Sequence, residues 1–77
     1  MKKITLKEMF ETEIQDILTH YESGYHKYFW KNGEGQYKEI VEIDLLRGRF
    51  ITEDRDFSEF EWEMKESRIY MDEKLYP

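Results

Sequence analysis

The acidic residues between positions 53 and 66 form the set whose type and spacing could carry chemistry, namely electrostatic recognition of a positively charged partner. They are Glu53, Asp54, Asp56, Glu59, Glu61, Glu63 and Glu66. If residues 59 to 65 form a strand, Glu59, Glu61 and Glu63 stand in a row about 6.6 Å apart on its solvent face. One interpretation is that this row faces a basic protein surface and imitates the phosphates of a nucleic acid. The alternative is a solvated face that keeps the protein soluble.

Lysines alternate with aromatic residues between positions 25 and 38. The lysines are Lys27, Lys31 and Lys38, and the aromatic residues are Tyr25, Tyr28, Phe29, Trp30 and Tyr37. Aromatic rings beside cations can grip single-stranded nucleic acid. We favour the competing interpretation, in which these rings supply the core, because a helix must cover them and the acidic second half would repel a phosphate chain.

His20, Glu22 and His26 form a cluster with the residue types of a metal site or of acid-base chemistry. They straddle a helix end predicted at Gly24, so their side chains need not converge, and no further strong ligand lies nearby in the sequence. We therefore expect both histidines to be structural or surface residues.

The sequence Glu63-Met64-Lys65 matches the E-x-K element of metal-dependent nucleases, with Asp54 or Asp56 as an upstream carboxylate. In that chemistry two acids hold a divalent ion while the lysine assists the attacking water. A match this short arises easily by chance in a chain rich in Glu and Lys. A nuclease using Asp56, Glu63 and Lys65 is thus a third hypothesis only, and we otherwise expect no enzyme, catalytic residue, metal or cofactor.

The bulk composition predicts one small folded domain spanning residues 1 to 77. The chain has no cysteine, which excludes disulfides and thiolate zinc sites. Although 39% of its residues are charged, six Tyr, five Phe and two Trp are too many for a disordered segment and can build a core. Acids and bases balance in residues 1 to 38, so the net charge of -6 arises in the second half. Without a signal sequence or an apolar span, a cytoplasmic location is expected.

An amphipathic helix is predicted over about residues 5 to 23, because apolar residues recur there at spacings of three and four. They are Leu6, Met9, Phe10, Ile14, Ile17, Leu18 and Tyr21. Thr5 and Glu8 fit a capping box, and Ile4 and Met9 fit a hydrophobic staple. Gly24 suits a left-handed helix end.

A β-hairpin is predicted around Asn32-Gly33-Glu34-Gly35, followed by a third strand over residues 49 to 52. A four-residue loop sets Trp30 opposite Tyr37 and Tyr28 opposite Glu39. One face would then carry the residues that meet the helix, which are Tyr28, Trp30, Tyr37, Val41 and Ile43.

The segment from residue 57 to residue 73 is ambiguous between strand and helix. Alternation of Phe60, Trp62 and Met64 with acids favours a strand, a turn near Glu66-Ser67 and a last strand over residues 68 to 72. The predicted fold is therefore α+β, with the N-terminal helix packed on an antiparallel meander of four to five strands. The alternative makes residues 57 to 75 helical and gives the order α-β-β-β-α.

The leading functional hypothesis is a non-enzymatic binding protein, such as an inhibitor or nucleic-acid mimic. Its C-terminal acidic face would engage a protein partner with a basic surface, for example a nucleic-acid-binding protein, with Trp62 and Tyr70 as anchors. Direct binding of nucleic acid or membrane is not expected from an acidic chain. The second hypothesis is a self-assembling module that closes a homodimer through the exposed sheet.

Overall fold

A computed structural model gives the backbone of residues 1 to 77 and describes the side chains of residues 1 to 16 and 24 to 77. It shows the predicted α+β class, with six strands and two helices along the chain. In order they are β1 (Lys2–Ile4), α1 (Leu6–Ser23), β2 (Tyr25–Lys31), β3 (Tyr37–Asp44), β4 (Arg49–Thr52), β5 (Phe57–Glu59), α2 (Phe60–Lys65) and β6 (Ile69–Tyr76).

Helix α1 begins with the predicted capping box. The backbone N–H of Glu8 donates to Thr5 Oγ1, and the N–H of Thr5 donates to Glu8 Oε1, both at 3.1 Å. Ile4 and Met9 are buried in one cluster, as the staple requires. Leu6 is buried as well, whereas Ile14 is 60% exposed, so the apolar stripe is covered at its N-terminal end. The side chains of Ile17, Leu18 and Tyr21 lie outside the described residues.

All neighbouring strands are antiparallel, and their order is β1-β6-β2-β3-β4-β5. The predicted meander is present in β2 to β5, but β6 returns across the sheet and lies between β1 and β2. Strand β1 has only three residues, too few for alternation to reveal it in the sequence. Helix α1 packs on β2 and β6. The core contains Ile4, Leu6, Met9, Tyr28, Trp30, Phe50 and Ile69.

The register of the first hairpin differs by one residue from the prediction, since Trp30 pairs with Lys38 and Lys31 pairs with Tyr37. The Asn32 side-chain oxygen accepts the N–H groups of Glu34 and Gln36 at 2.9 and 3.0 Å. Gly35 adopts a left-handed φ of 79° in this loop. The loop therefore holds one more residue than predicted.

A one-residue shift moves every side chain of a strand to the opposite face. Tyr28 and Trp30 are buried as predicted, but Tyr37 and Val41 are 44% and 52% exposed. An irregularity between Ile40 and Glu42 corrects the register, and Ile43 packs against the core. The third strand is present as β4 at the predicted residues.

The segment after residue 56 contains both predicted alternatives in part. Strand β5 ends at Glu59, and the next six residues are helical, so the predicted strand through residue 65 is wrong beyond Glu59. The alternative of a helix to residue 75 is wrong too, because β6 begins at Ile69. Phe60 packs edge-on against Phe10 with ring centroids 5.4 Å apart, and this contact ties α2 to α1. Among the residues described, no helix is long and apolar enough to cross a membrane.

Substitution of three glycines tests which positions require a left-handed backbone and which also require the absence of a Cβ. Gly24 and Gly35 both have left-handed φ values, but a Cβ on Gly24 would collide with the Tyr76 carbonyl, whereas one on Gly35 meets open space. We expect Gly35→Ala to lower the free energy of unfolding by about 1–2 kcal/mol. Gly24→Ala should lower it further, and Gly33→Ala should change it by less than about 0.5 kcal/mol.

Urea unfolding of the three variants measures these differences. Equal losses for Gly24→Ala and Gly35→Ala would show that the contact between residue 24 and the end of β6 is not a constraint.

Candidate functional site

Glu63, which was predicted to belong to an exposed acidic row, is buried and only 1% exposed. Its Oε2 accepts hydrogen bonds from Ser58 Oγ at 2.8 Å and from an Arg68 guanidinium nitrogen at 2.6 Å. Its Oε1 accepts the backbone N–H of Arg68 at 2.8 Å. The prediction of a row Glu59, Glu61 and Glu63 is therefore wrong, because the helix turns the middle of the segment inward.

The partners of Glu63 connect three elements of the fold. Ser58 lies in β5, Glu63 in α2 and Arg68 immediately before β6. The Arg68 guanidinium also stands 5.3 Å from the ring centroid of Trp30, in cation–π contact with the core. Helix α2 has only six residues and no side-chain cap on Glu59. We infer that the Glu63 network fixes its position, because so short a helix is not stable by itself.

With Glu63 inward, α2 presents Trp62 and Met64 to solvent, 64% and 71% exposed. Phe57 of the edge strand β5 is 47% exposed. Two hollows of about 300 and 330 Å³ meet here, and both are lined by Glu59 and Trp62. We call this surface the β5–α2 corner, and its residues are Phe57, Glu59, Glu61, Trp62 and Lys65.

The remaining acids of the predicted patch are divided between the two ends of β5. Glu59 and Glu61 belong to the corner, and Glu66 is exposed just after α2. Glu53, Asp54 and Asp56 lie in the turn that precedes β5, where they are exposed.

Two acids of that turn have structural partners. Asp54 accepts the Thr52 hydroxyl at 2.6 Å and lies 3.4 Å from Lys38 Nζ. The Thr52 hydrogen bond, together with Lys38, lowers the pKa of Asp54. Asp56 accepts the backbone N–H of Phe57 at 2.9 Å. The acidic stretch therefore has two parts. Asp54 and Asp56 stabilise the turn before β5, whereas Glu59 and Glu61 lie beside the exposed ring of Trp62.

Tyr70, the second predicted anchor, lies on the face of the sheet that α1 does not cover. Its neighbours Ile69 and Met71 face the core, while Tyr70 packs edge-on against Tyr37 at 5.1 Å and pairs with Phe29. Trp62 and Tyr70 therefore do not share one surface.

The lysine and aromatic residues of the first hairpin are also divided. Tyr28 and Trp30 are in the core, as we favoured. Lys27 Nζ lies 4.4 Å from the Tyr76 ring centroid and 3.9 Å from Glu39, and Lys31 Nζ lies 5.7 Å from the Tyr37 ring centroid. These cations already have partners within the chain.

The nuclease residues do not come together. Glu63 is inside, whereas Lys65 has a side chain that is 78% exposed and lies 3.9 Å from Glu61. Asp56 is in the turn at the other end of β5. Within the described part of the chain, no group of three His, Asp or Glu side chains is arranged to hold a metal ion.

His26 forms a pair that the sequence did not reveal. Its Nδ1 lies 3.0 Å from an oxygen of Asp16, and its backbone N–H donates to Asp16 Oδ2 at 2.7 Å. The side chains of His20 and Glu22, which we had grouped with His26, lie outside the described residues. Asp16 is on α1 and His26 on β2, so only the fold brings them together.

No known family model matches this chain, and neither a curated protein nor a solved structure is significantly similar to it. Its function is therefore argued from its own residues.

Two ion pairs that involve α2, one buried and one exposed, allow a matched test of which contacts stabilise the β5–α2 corner. Arg68→Met would leave Glu63 buried without its charge partner, and we expect a loss of about 3–5 kcal/mol in the free energy of unfolding. Glu63→Met should cost less, because the Arg68 side chain that it leaves unpaired is 34% exposed. The double variant should cost less than the sum of the two. The control is the exposed pair Glu61 and Lys65, where substitution by Ala should change stability by less than about 1 kcal/mol.

Chemical denaturation of the four single variants and the Glu63/Arg68 double variant completes the cycle. Additive losses for Glu63 and Arg68, or losses no larger than those of the exposed pair, would contradict a structural role for the network.

Proposed function

We propose that this protein is a non-enzymatic binding protein whose β5–α2 corner engages an arginine or lysine on the basic surface of a partner protein. The observation that carries the proposal is Trp62, which is 64% exposed on a helix fixed from beneath by the buried Glu63. An exposed tryptophan on a rigid element loses little entropy on binding, and tryptophan is enriched among the residues that dominate protein interfaces.

The carboxylates around Trp62 define the chemistry of the partner. Glu59, Glu61 and Trp62 line one hollow of about 330 Å³. A guanidinium or ammonium group placed there would contact the face of the indole and pair with a carboxylate. The net charge of -6 would also attract a basic surface from a distance.

Lys65 would compete with a partner's cation for the Glu61 carboxylate. Its Nζ lies 3.9 Å from Glu61 Oε1, but both side chains are largely exposed, 78% and 74%. Exposed pairs of this kind contribute at most about 1 kcal/mol. A partner's arginine can therefore displace Lys65 at little cost.

A nucleic-acid-binding protein remains a fitting partner, because its groove presents arginine and lysine side chains. The acids of residues 53 to 66 do not stand in one regular row, however, so imitation of a phosphate backbone is not part of the proposal. The proposed recognition is local and centred on one aromatic ring.

Isothermal titration calorimetry with a hexa-arginine peptide tests the corner directly. We expect Trp62→Ala to weaken binding by about tenfold, which corresponds to a cation–π contribution of roughly 1–2 kcal/mol. The double variant Glu59→Gln, Glu61→Gln should weaken binding and reduce its dependence on salt. Neither change should lower the melting temperature appreciably, because these side chains are exposed.

The matched control removes two charges elsewhere, by Glu34→Gln with Glu73→Gln, both of which are exposed and outside the corner. Equal affinity of the corner and control variants, or equal binding of hexa-glutamate, would contradict the proposal.

Self-association is the second candidate function, and the uncovered face of the sheet favours it. Phe29, Tyr37 and Tyr70 form an aromatic cluster there, on the side opposite the core. A second copy would bury these rings and extend a small core. We expect a concentration-dependent dimer in sedimentation at micromolar concentrations, dissociated by Tyr37→Lys. A strict monomer across that range would exclude it.

A further inference from the structure

A groove runs between α1 and β3, on the side of the helix away from β6. Two adjoining hollows of about 490 and 570 Å³ share Glu13, Tyr28, Ile40 and Val41. Phe10 and Ile14 extend the apolar wall on the helix side. We call it the α1–β3 groove. Its size and apolar walls are those of small-molecule sites, which usually carry a few polar groups that orient the ligand.

The Tyr28 hydroxyl is the first polar group of the groove. Tyr28 is only 7% exposed, and its hydroxyl is buried without a hydrogen-bond partner among the described residues. A buried polar group without a partner costs free energy. Burial, with smaller contributions from Asp16 and Glu13, raises the pKa of Tyr28, so the hydroxyl stays neutral at physiological pH. Once the side chains that cover it move aside, it can donate a hydrogen bond to a ligand or accept one from it.

Glu13 is the second polar group. Asp16 is already engaged by His26, and the Lys27 ammonium by Glu39 and Tyr76. None of the described residues gives Glu13 an ion pair or a hydrogen bond through its carboxylate. Burial, and then the neighbouring Asp16, raises the pKa of Glu13. A cation placed beside Glu13 would favour its charged form and so oppose both effects.

We propose that the α1–β3 groove binds a small amphiphilic cation, an apolar alkyl or aryl body with one primary ammonium group. The ammonium donates to the Tyr28 hydroxyl oxygen and pairs with Glu13, while the apolar body lies against Ile14, Ile40 and Val41. A carboxylate ligand is disfavoured by Glu13 and Asp16. A neutral alcohol of the same shape satisfies Tyr28 but leaves Glu13 without a cation.

Three probes of one shape separate these contributions, namely 2-phenylethylammonium, 2-phenylethanol and 3-phenylpropionate. Each is titrated into the full chain at neutral pH and followed by amide chemical shifts in two-dimensional NMR. We expect saturable binding of the ammonium probe with shifts at the groove, and at least tenfold weaker binding of the alcohol and the carboxylate. Equal binding of all three, or no binding of the ammonium probe, would overturn the proposal.

Substitutions of Tyr28 and Glu13 test whether these two groups bind the ammonium probe. Tyr28→Phe should weaken binding of the ammonium probe by about tenfold. The melting temperature should stay the same or rise, because the unpartnered hydroxyl is removed and the ring is kept. Glu13→Gln should weaken binding of the ammonium probe and leave the affinity for the alcohol unchanged. This variant should fold, since a neutral amide suits partial burial better than a carboxylate. Unchanged affinity of both variants would contradict the assignment.

Trp62→Ala distinguishes this site from the β5–α2 corner. The ammonium probe should bind this variant with unchanged affinity, so that failure of either proposal leaves the other standing. Loss of binding in Trp62→Ala would place the probe at the corner and overturn the groove proposal. Closure of the groove by a second copy of the chain, seen as a dimer that the probe does not dissociate, would overturn it as well.

Discussion

The hydrogen-bonded pair of Glu63 and Arg68 is the interaction on which the C-terminal half of the fold depends. Glu63 is fully enclosed, and its two oxygens together bind Ser58 and both the backbone and the guanidinium of Arg68. A carboxylate in this position is tolerated only because each acceptor is used, since an unpaired buried charge would be strongly destabilising. The same bonds determine where β5 ends, where α2 lies and where β6 begins.

A core of this size makes such an interaction more important than it would be in a larger protein. Among the side chains that the structure describes, the largest fully buried ones are Phe50, Met9, Ile69, Glu63 and Thr52. Two of these five are polar, and both have hydrogen-bond partners. A short chain buries a smaller fraction of its surface than a long one, so specific polar contacts contribute a larger share of its stability. Satisfied buried groups also restrict the alternative packings that a small aromatic core could adopt.

The parts of the fold that sequence predicted are those determined by near neighbours. Thr5 and Glu8 are three residues apart, and their capping box marks the start of α1 in the sequence itself. The hairpin was recognised from its glycines, but its register depended on the bonds of Asn32 within the loop. One residue of loop length then decided that Tyr37 would leave the core.

The candidate sites were harder to predict, because they depend on residues that only the fold brings together. Period-two alternation continued through residues 60 to 65, yet α2 formed there, since Glu63 finds its partners by turning inward. Trp62 is exposed, as a binding anchor requires, although the predicted strand placed it on the face opposite the solvent-facing acids. Asp16 and His26 were invisible as a pair because a helix end separates them along the chain.

Some carboxylates of the described residues accept hydrogen bonds within the fold, whereas others border the two proposed binding surfaces. Four carboxylates accept hydrogen bonds from donors within the chain and so stabilise the fold, namely those of Asp16, Asp44, Asp54 and Glu63. Glu59 and Glu13 instead border hollows beside exposed or apolar side chains.

The shape around each of these two carboxylates determines the kind of cation that fits. At the corner the hollows beside Trp62 are small and open to solvent, which suits the end of one side chain presented by a partner protein. Beside Glu13 the walls of α1 and β3 form a concave groove, which favours a small molecule whose apolar part can be enclosed. At both proposed sites the net negative charge would attract cations, and packing by residues such as Trp62 and Ile40 would decide which cation binds.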